Sequence, residues 1–563
     1  MKVIIVGGVA TGPKVAARLR RIKPDAEITI LEKGRLISYG ACGLPLYVAN
    51  YVPQLDELMK TSFGLLRDTD FFQKQKDVKI LTQTEAIKID RENKLVIVCN
   101  VVTGLEESLP YDYLVLATGA KPNYPPISGV NLSQVFTLHH PQDALELKTL
   151  IKAKKVKHVT VLGSGLIGVE TADALASPRL KVTLCETDSH VLPKLLDPDI
   201  SKLVERRMVR HGLDIRLSCR VQAIEGDAEG NVCRVITEQG TIETEVVVLA
   251  TGVRPEVKLA RDAGLAIGIT GAIQVDEHMM TNDPFIYAGG DCAEQQHILT
   301  GEPVYIPLAS TANKQGRVIA DQLAGNSKAR FAPVEGTSVL QAFDLNIGRT
   351  GLGEEEARRR GYNVITSVSS GLDSTHYHPM HSSITIKLIA EQENGRLLGA
   401  QVCGLGESVK RLDVLATTLK FGGNVQDLID LDLAYAPPFA TAIDVLIHAA
   451  TTLENMRQGL VQGITAETVV KRIQAGEKIC FVDVRESEEV AANPFPVEGT
   501  KIIPLGELRE HLNDIPVDSL VVTVCELGTR GYEAACLLQG KGIPQVAFLQ
   551  GGLSVSSAYS FLK

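Results

Sequence analysis

No apolar run in the 563 residues approaches the roughly 18–20 needed to cross a bilayer. The opening Met1-Lys-Val-Ile-Ile-Val-Gly-Gly8 lacks the pattern of a secretory leader, a cationic segment ahead of a longer apolar stretch and a small-residue cleavage site. Neither a membrane span nor a leader is expected, and the expected location is cytoplasmic. Positive charge is not in excess: the formal net charge is −9, which argues against a general nucleic-acid binder. Cysteine is thin. The ten cysteines are scattered singly, with no CxxC pair and no Cys/His cluster at zinc spacing. That excludes a disulfide framework and leaves no metal expected. Low-complexity tracts are absent too. What remains is an ordinary globular composition, 44% hydrophobic and 22% charged. At about 150 residues per domain the length suits about three or four domains.

Through the first 325 residues, strand signals with glycine turns alternate with helical patterns, an α/β texture. One sub-pattern occurs twice. An apolar strand runs into a glycine-rich turn and a helix near the N-terminus and again from His158, and a strand ending in Ala-Thr-Gly closes at Thr118-Gly119 and at Thr251-Gly252. Two dinucleotide-binding modules are therefore expected. From about Phe331 the texture changes. Residues 382–390 and 397–402 read as antiparallel strands joined by a turn near Asn394-Gly395, and helical patterns follow to about Glu454. A linker is expected over 455–464 and a last compact α/β unit over 465–563, opening on the helix start Thr465-Ala-Glu-Thr468.

In the first module, Val3-Ile-Ile-Val6 leads into Gly7-Gly8-Val9-Ala10-Thr11-Gly12, with Pro13 tolerated in the first helical turn. Glycines permit the tight turn and let a pyrophosphate approach the helix N-terminus, whose N–H groups and dipole favour anions. Glu32, closing the next strand, can bond the hydroxyls of an adenosine ribose. In the second module, Val159-Thr-Val-Leu162 leads into Gly163-Ser-Gly165-Leu-Ile-Gly168, and Glu186 closes the following strand. Glu186 would repel the 2′-phosphate of NADP, and no Arg or Lys follows it in 187–190. NADH is the expected donor, with NADPH possible.

Two nucleotide sites in one chain imply a hydride relay through a flavin, and the arrangement resembles the flavin-dependent pyridine nucleotide–disulfide oxidoreductases. Ile286-Tyr-Ala-Gly-Gly-Asp291 resembles that family's second flavin motif, which implies that Asp291 bonds the ribitol chain of FAD. The resemblance assigns 1–117 with 246–325 to an FAD-binding domain, 118–245 to an NADH-binding domain and 326–454 to an α+β dimerisation domain. Ser38-Tyr-Gly-Ala-Cys42-Gly43 resembles the single-cysteine branch of coenzyme A-disulfide reductases, NADH oxidases and NADH peroxidases. Position 47 is tyrosine, so the CxxxxC pair of the glutathione-reductase branch is missing. A lone cysteine beside a flavin must cycle as a mixed disulfide, persulfide or sulfenic acid.

The oxidases and peroxidases of the branch carry a histidine near residue 10, and this chain has none there. Lys14, Arg18, Arg20 and Arg21 form a basic helix face, read either as a solvated surface or as a cradle for the phosphates of coenzyme A. The resemblance places CoA contacts at Ser38 and Arg21, with Arg18 a further candidate. It also places Tyr377 and Tyr435 beside the leaving thiolate of the partner subunit's site, which implies a homodimer. The chain departs from the family at His378, where a second tyrosine is common, so the local acid–base assignment stays open.

The last unit resembles a rhodanese domain. Val521-Val-Thr-Val-Cys525-Glu-Leu-Gly-Thr-Arg530 reads as strand, loop and helix, and four residues separate Cys525 from Arg530, as in sulfurtransferase loops. Backbone N–H groups and a helix N-terminus would stabilise a thiolate or persulfide on Cys525, with Arg530 bounding the cradle. Glu526 should disfavour a dianionic donor such as thiosulfate. Seven of the other eight cysteines (Cys99, Cys185, Cys219, Cys233, Cys292, Cys403 and Cys536) read as core, and Cys480 opens the strand 480–484. The fusion resembles coenzyme A-disulfide reductase–rhodanese enzymes. That implies reduction by NADH of CoA persulfide, polysulfide or CoA disulfide, with small thiols and persulfides as partners. An NADH oxidase or peroxidase, or a redox-sensing sulfur carrier, are the alternatives.

Overall fold

The computed structural model describes residues 1–153 and 156–559; the last four residues of the expected 465–563 unit, and Lys154 and Lys155 of the expected NADH-binding domain, lie outside them. The chain divides into two compact units, one of residues 1–163, 177–182 and 221–334, the other of 164–176, 183–220 and 335 onward.

The first unit is organised by a parallel sheet of five strands in the order Ile286–Ala288, Tyr113–Leu116, Lys2–Val6, Glu27–Leu31 and Lys79–Leu81. Val3 pairs with Ile28 on one side and Tyr113 on the other, so Val3, Ile4, Ile5 and Val6 are all buried. A strand covered on both faces needs an uninterrupted apolar run, and this one has it. Helix Thr11–Ile22 packs along helix Ala309–Leu323, and Gly316 lets them close: a Cβ there would lie 3.0 Å from the Thr11 carbonyl oxygen. Strands His158–Leu162, Val246–Leu249 and Val135–Thr137 run parallel in the second dinucleotide module. The domain boundary expected at 245/246 is thereby corrected. Val246–Leu249 pairs rung for rung with Val159–Leu162 and belongs to that module, not to the first sheet.

In the second unit, residues 335–457 build an antiparallel sheet in the order Ser338–Ala342, Leu345–Gly351, Leu397–Gly404, Ser383–Glu391 and Val364–Leu372. The turn expected at Asn394-Gly395 is present, with Gly395 at φ +71°. Leu397–Gly404 is buried along its whole length because helices Ser408–Lys420 and Val445–Arg457 pack on the sheet. Beyond it lies a parallel sheet in the order Gly463–Ile464, Val546–Leu549, Leu520–Val524, Ile479–Asp483 and Lys501–Ile502.

The linker expected over 455–464 is also corrected. Helix Val445–Arg457 runs into it, and Gly463–Ile464 is already an edge strand of the last sheet, pairing with Phe548 and Leu549. The two parts are pinned to each other: the Asn455 side chain donates to the Tyr532 hydroxyl (2.6 Å), and the Val368 N–H donates to the Gln550 side chain (2.7 Å). No helix among the described residues is long and apolar enough to cross a membrane.

Candidate active sites

The first glycine turn is built as its sequence requires. Gly7 has φ +116°, and a Cβ at Gly12 would run into the Gly7 carbonyl oxygen. Glu32 reaches back to the turn, accepting from Gly8 N–H (2.8 Å) and, with its other oxygen, from Gly34 N–H (2.7 Å). The second module repeats the device. Glu186 accepts from Ser164 N–H (2.8 Å) and the Ser164 hydroxyl (2.6 Å), while its second oxygen takes Asp188 N–H and the Thr187 hydroxyl, both at 3.0 Å. Burial opposes the charge on Glu186, yet these hydrogen bonds outweigh it and hold its carboxyl below the usual range. Gly163 stands at φ +102°, Gly165 has open space where a Cβ would go, Gly168 is a buried residue of helix Leu166–Leu175, and Gly252 sits at φ +90° after its strand.

A cavity of about 730 Å³ opens at the first turn. It is lined by Gly7, Glu32, Ser38, Cys42, Thr118, Gly119 and Asp291, with Lys14, Arg21, Arg67 and Lys76 supplying positive charge. Residues far apart in the chain thus meet at one cavity. Ser38 adopts φ +50° and donates its N–H to the Gly8 carbonyl (2.8 Å), tying the cysteine segment to the glycine turn. Cys42 is exposed in the short 3-10 turn Ala41–Gly43, ahead of helix Leu44–Val48. Asp291 is pushed up by burial, and the Tyr305 hydroxyl donates to its carbonyl.

The basic face divides. Arg21 and Lys14 line the cavity, whereas Arg18 is paired with Asp321 (2.8 Å) and Arg20 donates to the Lys76 carbonyl (3.2 Å). Of the two arginines expected to meet CoA, the structure brings Arg21 to the cavity and commits Arg18 elsewhere. Arg67 and Lys76 were not singled out from sequence, because no local motif marks them and only the fold returns them to the cavity.

In the second unit, Tyr377 and Tyr435 are 64% and 52% exposed. Their segments are joined: the Thr375 N–H and hydroxyl both donate to the Pro437 carbonyl (3.2 and 3.1 Å). Arg411, fully buried, anchors this region through Asp444 (2.7 Å) and the carbonyls of Asp373 (2.8 Å) and Glu407 (2.9 Å). Met380 and Phe439 are also largely exposed, so the tyrosines stand on an apolar surface. His378 is only partly exposed, and its Nδ1 is buried with no hydrogen-bond partner among the described residues.

The third cluster is the Cys525 loop. Strand Leu520–Val524 delivers the cysteine, and Gly528, at φ +98°, turns the chain into helix Thr529–Gly540. Cys525 is buried, and its sulfur accepts from the N–H groups of Gly528 (3.2 Å) and Gly531 (3.3 Å). A thiolate or anionic persulfide is the species such donors favour. Arg530, the second residue of the helix after the loop, is already paired with Glu489, and Glu526 meets Arg485 at 3.3 Å. Neither Glu489 nor the Arg485 partnership was foreseen, because each lies some 40 positions away in sequence.

The ten cysteines are all thiols. Cys185, Cys219, Cys292 and Cys403 are buried and Cys99, Cys233 and Cys536 partly so, in keeping with the core reading. Cys185 and Cys219 meet as hydrogen-bonded neighbours, a pairing the sequence does not announce, and burial pushes the Cys185 thiol well up.

Comparison with known proteins agrees with this layout. Residues 1–316 match the family described as pyridine nucleotide-disulphide oxidoreductase, residues 338–447 the dimerisation domain of that family, and residues 465–558 the rhodanese-like domain. The chain is 37% identical over 459 residues to the NAD(P)H coenzyme A polysulfide/persulfide reductase of Pyrococcus horikoshii, covering 80% of this chain and 98% of that protein. A solved NAD-dependent persulfide reductase from A. fulgidus superposes with a TM-score of 0.93 at 39% identity, covering 99% of this chain and 100% of that one. The reduced CoADR-RHD of Bacillus anthracis gives 0.91 at 36% identity, covering 99% and 98%. With two glycine-turn modules, a cavity lined by the exposed Cys42, and these matches across nearly its whole length, the chain belongs to the pyridine nucleotide-disulphide oxidoreductase family and carries a rhodanese-like domain at its C-terminal end.

Proposed function

We propose that the protein uses NADH to reduce a persulfide, polysulfide or disulfide of coenzyme A at Cys42, with FAD as resident cofactor, and that its C-terminal domain handles sulfane sulfur at Cys525. The observation that carries this reading is the convergence of Cys42, Ser38, Arg21, Glu32 and Asp291 on one cavity. The residues suit FAD. Glycine at positions 7 and 12 lets the turn close tightly against the Ala117 and Gly7 carbonyls, as a pyrophosphate-binding turn ahead of a helix requires, Glu32 is oriented toward that turn, and the half-buried Asp291 lines the same cavity. When bound, FAD supplies the route by which a hydride from NADH becomes an electron pair for the thiol.

The chain's own residues do the rest. Glu186, fixed by four donors, orients the ribose of NADH and repels a 2′-phosphate. Arg21, Lys14 and Ser38 hold the phosphates of coenzyme A. Cys42 attacks one sulfur of the substrate; the S–S bond breaks, its electron pair leaves on a thiolate, and Cys42 is left as a mixed disulfide or persulfide. Tyr435 and Tyr377 of the partner subunit protonate or hydrogen-bond the leaving thiolate. Their exposure on an apolar face of a domain matching the family's dimerisation domain supports a homodimer. Reactive thiols at Cys42 and Cys525 suit a reducing compartment, the cytoplasm.

The testing experiment is NADH oxidation without oxygen, offering CoA disulfide, CoA persulfide and polysulfide in turn. Rapid turnover with at least one is expected; turnover only on admitting oxygen or peroxide would move the protein to the oxidase branch. For the donor, kcat/KM with NADH should exceed that with NADPH by about tenfold or more, and Glu186→Gln should narrow the ratio chiefly through KM for NADH. A clear preference of the unaltered enzyme for NADPH would refute the role given to Glu186.

A further inference from the structure

The mouth of the Cys525 loop is ringed by four charged side chains, Arg530 with Glu489 and Arg485 with Glu526. Arg530, which closes the loop, directs Nη1 and Nη2 to the two carboxylate oxygens of Glu489, both at 2.6 Å. Arg485, fully buried and fixed to the equally buried Asp483 (2.8 Å), turns its other terminal nitrogen to Glu526 (3.3 Å). The hydrogen bond from Arg530 pulls the Glu489 carboxyl down to about 2, so Glu489 stays ionised wherever the enzyme works. Arg206, on helix Pro198–Arg210, bonds the Ser557 hydroxyl and adds a further cation on the Glu526 side.

A cradle that captures a dianion needs an arginine ready to meet it. Here both terminal nitrogens of Arg530 are engaged by Glu489, and the residue following the nucleophile is itself a half-exposed carboxylate. The donors aimed at the Cys525 sulfur are two backbone N–H groups, enough for one sulfur bearing one negative charge.

We propose that Glu489 and Glu526 set the donor specificity of the Cys525 site, selecting sulfane sulfur carried on an organic thiol and rejecting dianionic inorganic donors, Glu489 by occupying Arg530 and Glu526 by its own charge. The proposal rests on the reading of the C-terminal domain as a sulfurtransferase. In the transfer step the Cys525 thiolate attacks the outer sulfur of R–S–SH. The donor S–S bond breaks with its electron pair leaving on RS⁻, and Cys525–S–SH is formed with the proton retained. One S–S bond replaces another, and no external oxidant or reductant is consumed.

The test uses the full-length holoenzyme with cyanide as acceptor, thiosulfate and glutathione persulfide as alternative donors, and the variants Glu489→Gln, Glu526→Gln and the double variant. Glutamine keeps the volume and can still accept the Glu486 N–H that Glu489 accepts at the start of its helix. The readout is the ratio of kcat/KM for thiosulfate to that for the persulfide, which general damage to the site does not move. We expect the ratio to rise about three- to tenfold in each single variant and more in the double variant, mainly through KM for thiosulfate. An unchanged ratio, or an unaltered enzyme that uses thiosulfate as well as the persulfide, would overturn the proposal. Cys525→Ser separates the underlying reading: if it retains transfer from both donors, the sulfurtransferase assignment itself fails, whatever the glutamates do.

Discussion

Cys42→Ser is expected to lower NADH-dependent reduction of the preferred sulfur substrate by about 10³-fold or more, while leaving the fold and Cys525-dependent sulfur transfer in place. The reaction needs a nucleophile that is substantially ionised near neutrality and can hold a sulfur–sulfur bond between half-reactions. A serine hydroxyl does neither, and no histidine occupies the glycine turn where the oxidases and peroxidases of the branch keep one. Structurally the change is mild, since residue 42 is exposed in the middle of a three-residue turn and buries little. Anaerobic assays of the two activities side by side check it. Retained NADH-dependent turnover in the variant would mean that electrons leave by another route and that Cys42 is not the redox thiol.

The largest expected stability effect lies far from either thiol. Lys387, fully buried in strand Ser383–Glu391, sits among Asp199 (2.8 Å), Glu354 (2.8 Å) and Asp197 (3.1 Å). Asp197 also accepts the Glu354 N–H, so the first turn of one helix and the loop before another converge on one ammonium. Lys387→Met keeps the length and removes the cation, leaving Asp197 and Asp199 without the ammonium they share and Glu354 with Arg358 as its remaining partner. Breaking a buried network in this way costs about 3–5 kcal/mol.

The pH dependence carries a distinguishing sign. In the unaltered protein, burial works against the charge of Lys387 but the three carboxylates prevail and raise its pKa. Its contribution is therefore fully present below the ordinary lysine value and is lost only as pH rises through the higher folded one, outside the neutral range. In the variant Asp197 and Asp199 lose the buried ammonium between them, while Glu354 keeps Arg358. Asp199 is already pushed up by burial, and Glu354 loses the lysine that helps hold it down. The folded variant then takes up protons more readily than the unfolded chain, so its stability should recover as pH falls from 8 toward 5 and the gap to the unaltered protein should narrow. Unfolding midpoints across that range check it; a gap that stays constant or widens on acidification would contradict the role given to Lys387.

Much of this was legible in the chain because the chemistry is local in sequence. A glycine turn, the strand before it and the acid closing the next strand fall within about 30 residues in each dinucleotide module, and Cys525 and Arg530 share one loop. What the sequence concealed is non-local. Val246–Leu249 reads as a generic buried strand, and only its pairing with Val159–Leu162 says which module owns it. The expected linker looked like one because Asn455 and Gly463 are polar or small, yet both are used by the fold, one as a donor to Tyr532 and the other in a sheet edge. Arg18 and Arg21 are one helical turn apart and indistinguishable by type. A partner contributed by Asp321, some 300 residues on, divides their roles.

The contacts that pin the C-terminal sheet to the antiparallel domain bear on how such fusions can be taken apart. Relatives match 80% of this chain and nearly all of their own length, which invites separating the two parts by a cut between them. Here the seam is load-sharing. Excision before Gly463 would strip Val368 of the acceptor for its backbone N–H and remove the Tyr532 hydroxyl from Asn455. It would also bare the strand and helix surface now facing Phe548 and Gly551. A shortened reductase made from this sequence therefore inherits an adhesive scar, which a chain that evolved without the fusion has had occasion to polish away. Anyone dissecting the two activities would do better to silence each thiol in place than to divide the molecule.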